Sequence, residues 1–357
     1  MPCLKTAIRT EHQSFQRDLN LPAMTIVATR LLDEPIIHPD MDERMGSNIN
    51  GPSVIRVPNW VQQPLGRYYL YFSHHKGTYI RLAYANALTG PWKIHSPGVL
   101  DVSQSLFATT DPPEPPPGER PSWADTLIGG YLYAHVASPD VHIDETQRQI
   151  RMYYHGLLPN GDQMTRVACS KDGLSFKPEA PLLGPPYFRV FKYSQWTYAI
   201  SWRGVFLRSR EWHGPFEAQH EPGPAMRLFN DGSGIELRHP ALWRQGDVLH
   251  LFFSCTGDYP ERIYHSQCGV HDDWGRWEFS RPQVILSPEL IWEGADRPPT
   301  TSVVGAADSR LRELRDPGIF VEDGRAYLFY SGAGESAIGI AQLDGLKSGH
   351  RFKRHLV

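Results

Sequence analysis

Cysteine is scarce. Cys3, Cys169, Cys255 and Cys268 are spread through 357 residues without a C-x-x-C or zinc-type spacing, so a disulfide framework and a cysteine-based metal site are both excluded. No apolar run approaches the roughly 18 residues of a membrane-spanning helix, and the opening MPCLKTAIRTEHQSFQ lacks a signal-type apolar core. The expectation is a cytoplasmic protein that neither crosses nor coats a membrane. Charge of neither sign dominates, with 36 Lys and Arg against 39 Asp and Glu, and no basic block supplies the footprint of a nucleic-acid binder. Apolar residues at helical spacing are also missing, which excludes a helical bundle.

What the chain does contain is aromatic, β-branched and turn-forming. Tryptophan, tyrosine, glycine and proline are plentiful, a mixture suited to short strands joined by tight turns. The strands fall into five copies of one unit. Each copy opens on a proline-marked strand: NGPSVIRV, ASPDVHI, GPPYFRVF, RHPALW and RDPGIF. An aromatic strand follows in each, as in RYYLYFSHH, VLHLFFSC and RAYLFYSG, and then a strand of smaller residues. Several copies end in a fourth strand after a Gly/Trp turn, at GPWKIH, GLSFKP, GPFEAQ and WGRWEF. Such a repeat predicts an all-β, five-bladed β-propeller with four antiparallel strands per blade, because one blade buries its faces only against its neighbours. The expected domain is single and spans 1–357; the segment 24–32 supplies the outer strand that the last copy lacks. Proline-rich stretches at 111–121 and 297–301 read as surface insertions.

In a radial blade, the start of the first strand and the loop from second to third strand share one rim. That rim collects Asp140, His239 and Asp316 with His74, His75, His155, Glu261, Arg262 and Glu335. Period-two alternation predicts that Asp140, Tyr187, His239 and Asp316 all face the central cavity. Arg189, Arg238 and Arg315 join them as ligand-binding candidates. Asp42, just upstream of the first opening, enters the ring near its axis. No metal-ligand pattern and no cofactor motif is present, so neither is expected.

On its strand rhythm and its openings the chain resembles the five-bladed propeller glycosidases, notably glycoside hydrolase family 43 and its relatives in families 32, 62, 68, 117 and 130. The resemblance implies a base aspartate in the first opening, a pKa-tuning aspartate in an A-P-D-V-type second opening, and an acid glutamate in the third. Ser138-Pro139-Asp140-Val141 matches the second, so Asp140 inherits the tuning role. The first reads Gly51-Pro52-Ser53-Val54 and the third Gly184-Pro185-Pro186-Tyr187, and both lack the carboxylate. Since glycoside hydrolysis generally takes two carboxyls, the replacements come from the same rim: Glu261 or Glu335 as acid, Asp42 or Asp316 as base or nucleophile. The implied partner is a small carbohydrate bound by the rim arginines and histidines, and the implied activity is glycoside hydrolysis. Two alternatives stay open: phosphorolysis, with phosphate held by those cations, and sugar binding without turnover.

Overall fold

A computed structural model describes residues 25–116, 118–119, 131–220, 222–229 and 232–345. Cys3, the opening segment, Met24 and part of the 111–121 stretch lie outside the described residues. The structure is all-β, built as five blades of four antiparallel strands each, a five-bladed β-propeller. The inner strands, in blade order, are Asn50–Arg56, Val136–Asp144, Arg189–Tyr193, Glu236–Gln245 and Arg315–Glu322. Blade five takes its outer strand from the start of the chain: Val27–Arg30 pairs antiparallel with the strand Ala337–Asp344, Val27 opposite Asp344. Among the described residues no helix is long and apolar enough to cross a membrane.

The core lies between blades, as the aromatic second strands dictate. Tyr69, Tyr71, Met152 and Tyr154 fill the gap between blades one and two, and Tyr198, Phe206, Leu251 and Phe253 that between three and four. Each such side chain stabilises the ring by about 1.5–3 kcal/mol. WGRWEF does not form the outer strand of blade four. Its Trp277 is instead fully buried among Phe191, Tyr198 and Phe206, and the strand forms later, at Gln283–Leu286. An indole that fills an interblade gap cannot also lie along a sheet edge.

Near the axis, polar straps and close approach replace packing. The backbone N–H of Val141 donates to Ser53 Oγ at 2.9 Å, tying blade two to blade one. The N–H of Val190 donates to Asp140 Oδ2 at 2.8 Å and ties blade three to blade two in the same way. Between blades five and one the approach is tighter still, since a Cβ on Gly318 would lie 2.2 Å from the carbonyl oxygen of Pro52.

Candidate active site

The site is shaped by what each opening does to its backbone. Gly51, Ser138, Tyr187 and Asp316 occupy equivalent places at the openings of their blades, and all have positive φ, between 49° and 68°. The pairing register slips at the openings of blades one, two, four and five, between Asn50 and Ser53, Ala137 and Asp140, Leu237 and His239, and Arg315 and Gly318. A bulge of this kind re-aims one side chain relative to plain alternation. Bulges in blades two, four and five and the left-handed backbone at Tyr187 bring Ser138, Tyr187, His239 and Asp316 to one axial cavity of about 630 Å³.

Asp140 is therefore not on that wall, contrary to the period-two expectation. The left-handed residue Ser138 takes the inward direction and Asp140 turns sideways. Its Oδ2 accepts from Val190 N–H and from His142 Nε2, the latter at 2.7 Å. Burial pushes its carboxyl up, but His142, Arg189 and the Val190 N–H outweigh burial and hold it below the usual aspartate range. The stability it contributes is thus present above that range and lost on acidification. Asp140→Asn keeps an acceptor for Val190 and forfeits the His142 pair. Thermal or urea melts at neutral pH are expected to show a loss of about 1–2 kcal/mol, while ligand affinity stays unchanged.

Asp316 is 2 % exposed and borders the cavity. The Tyr187 hydroxyl donates to its Oδ1 at 2.9 Å, and His239 Nδ1 lies 3.5 Å from the same oxygen. Among the described residues its buried Oδ2 has no hydrogen-bond partner. Burial first, and the Glu335 charge second, push this carboxyl up to about 7. In neutral solution it shares its population between the protonated and ionised forms. Tyr187 stacks on His239 with ring centroids 4.9 Å apart, and the Arg189 guanidinium sits 4.1 Å from the Tyr187 ring centroid.

Behind this wall lies a buried charge network. Arg315 reaches Glu313 at 2.5 Å, Glu261 at 3.1 Å and Glu335 at 3.1 Å. Arg238 reaches Glu261 at 3.2 Å and the Val303 carbonyl at 2.8 Å, and also bonds the Gly305 carbonyl. Ser302 Oγ donates to Glu261 Oε2 at 2.5 Å. Glu261 and Glu335 therefore serve as counter-ions to arginine and do not border the cavity. Two guanidiniums so close to these glutamates draw the carboxylates off the surface, an outcome that loop position alone does not reveal.

Of the remaining rim residues, His75, His155 and Arg238 border the cavity with His239. Burial holds His155 and His239 well below the ordinary histidine range and brings His135 down to about 4, so these rings are neutral. Four predicted residues lie elsewhere. Asp42 caps a turn through Met45 N–H and accepts from Ser96 Oγ. His74 Nδ1 accepts from Lys76 N–H. Arg262 pairs with Asp258 at 2.7 Å, and Arg189 donates to the carbonyls of Ser138 and Phe188. Tyr133, Gln163 and Asn50 border the cavity without having been singled out. Tyr133 lies just past a long proline-rich insertion, where strand periodicity gives no signal.

No protein-family profile matches the chain. An uncharacterized protein of Acanthamoeba polyphaga mimivirus is 34% identical over 316 residues, 83% of each chain. Among solved structures, the GH43_1 enzyme of Xanthomonas citri superposes with a TM-score of 0.54 at 12% identity, over 88% of this chain and 90% of that one. A GH43 β-xylosidase/α-arabinofuranosidase from a compost microbial metagenome, in complex with xylotriose, gives 0.52 at 13% identity, over 89% and 94%. The five-bladed fold is thus shared with family-43 glycoside hydrolases.

Proposed function

The chain belongs to the same family as the uncharacterized mimivirus protein, and from that premise and its glycosidase-like fold we propose an enzyme that cleaves a glycosidic bond of an uncharged saccharide in the axial cavity. Asp316 is the proton donor to the leaving oxygen. The observation that carries this reading is Asp316, whose carboxyl is pushed up to about 7, borders the cavity and leaves Oδ2 uncommitted among the described residues. A carboxylic acid tuned close to neutrality suits general acid catalysis, because it holds the proton and still releases it readily. The choice of an uncharged ligand rests on the neutral imidazoles of His155 and His239, which bring no positive charge to the cavity wall. Arg238, the arginine on the wall, already serves protein acceptors.

The test is a panel of 4-nitrophenyl glycosides, with xylosides and arabinofuranosides first because a protein of the same fold carries those two activities by name. The expected result is turnover without added phosphate, with kcat/KM falling as pH rises through about 7 and Asp316 loses its proton. Turnover only with phosphate would mark phosphorolysis instead. Binding of xylotriose with no turnover on any panel member would leave a sugar-binding propeller.

A further inference from the structure

Asp316 supplies an acid, but hydrolysis also needs a group to take the proton of the attacking water. None of the other carboxyls proposed for catalysis borders the cavity. The structure instead offers a histidine held by a carboxylate. His75 borders the cavity with a quarter of its side chain exposed. Its Nδ1 lies 3.3 Å from Glu335 Oε1. A carboxylate only accepts, so this contact puts the proton on Nδ1 and leaves Nε2 with a bare lone pair. Among the described residues Nε2 has no protein partner.

The support behind the pair is unusually complete. Glu335 is fully buried, and against burial the hydrogen bond from His75 and the charges of Arg315 and Arg238 hold its carboxyl well below the usual range. Asn48 grips both members: its Nδ2 donates to Glu335 Oε2 at 2.7 Å, and its Oδ1 accepts from the His75 backbone N–H at 2.8 Å. Arg315 Nη1 donates to Glu335 Oε1 at 3.1 Å. The carboxylate is therefore fixed in place and ionised, ready to compensate a positive charge on the ring.

We propose that His75, oriented by Glu335, is the general base that activates water for the bond cleavage in which Asp316 is the acid. The water oxygen attacks the anomeric carbon while its proton passes to His75 Nε2; the glycosidic C–O bond breaks as Asp316 delivers its proton to the leaving oxygen. His75 then returns its proton to solvent and Asp316 regains one. The two events assist each other. An imidazolium on His75 offsets the Glu335 charge that keeps Asp316 protonated, so uptake at one residue favours release at the other. Glu335 and Asn48 are positioning residues in this arrangement.

The inference rests on the hydrolase reading, and the experiment separates the two. In the wild-type protein, ¹⁵N NMR identifies the ring tautomer of His75, assigned among 16 histidines by the signal missing in His75→Ala. The Nδ1–H tautomer is expected; Nε2–H overturns the proposal whatever the turnover. On a 4-nitrophenyl glycoside that the wild type cleaves, His75→Ala is expected to lose about 10²–10⁴-fold in kcat and to recover on addition of imidazole. Turnover within threefold of wild type overturns the proposal, as does a loss that imidazole does not restore. If the wild type cleaves no panel member, the hydrolase reading falls and the base with it, while the tautomer still reports whether Glu335 orients the ring.

Discussion

Asp316→Asn is expected to abolish turnover and at the same time to stabilise the protein above neutrality. The two effects have one origin. Asparagine keeps an acceptor for the Tyr187 hydroxyl, which donates to Oδ1 at 2.9 Å, but has no proton to give a leaving group. Losing a positioned acid costs about 10²–10⁴-fold in rate. The stability effect follows from the carboxyl being pushed from 3.8 up to about 7 on folding, by burial first and the Glu335 charge second. A group raised in this way contributes fully below its unfolded value and loses that contribution as pH climbs through its folded value. Ionised Asp316 in the folded protein is therefore penalised by at most on the order of 4 kcal/mol. The difference between variant and wild type should be near zero at pH 4, widen until about pH 7, and then level off. Urea melts across that range measure it, and a variant that is less stable than wild type at pH 8 would remove the buried-acid account.

Arg315→Met is expected to produce the largest loss of stability. The guanidinium is 1 % exposed and meets Glu313, Glu261 and Glu335. Methionine fills much of its volume but leaves three buried carboxylates short of their main counter-charge. Removing one partner of a buried ion pair costs about 3–5 kcal/mol. Burial already raises Glu313 above the usual range even with Arg315 beside it. In the variant Glu313 rises further and Glu335 loses one of the charges that hold it down, so the destabilisation should be worst at neutral pH and ease on acidification towards pH 4. A urea midpoint that falls at pH 7 with little change in slope is the expected signature. An equal loss at both pH values would mean that packing, and not charge, holds this arginine in place.

The repeat that specifies the blades was legible because it depends on short-range chemistry: proline at strand starts, aromatics on second strands, glycine in turns. The direction of the openings was not. Alternation predicts that Asp140 and Asp316 share a wall, but positive φ at Ser138 and Asp316 puts those two residues at equivalent places and Asp140 two positions further along. Serine, tyrosine and aspartate give no warning of a left-handed backbone. Gly51, the glycine at the same place in blade one, was the available signal. The match of Asp140 to a family motif pointed to an inner strand correctly, yet the carboxylate there links blades as Ser53 does. His75 was read as a ligand-binding residue, since its partner Glu335 is 260 positions away and no local pattern joins them.

The union of Val27–Arg30 with Ala337–Asp344 also governs when this protein can become whole. Arg30 carries the link further, with its guanidinium 2.7 Å from the buried Glu293 of a segment 263 positions away. Contacts of such sequence separation form late and slow the folding of the whole. On the ribosome, Val27–Arg30 stays unpaired until Ala337–Asp344 has emerged. Once the circle is shut, opening it requires giving up that sheet edge and the Arg30 ion pair together, so resistance to unfolding is concentrated at one seam.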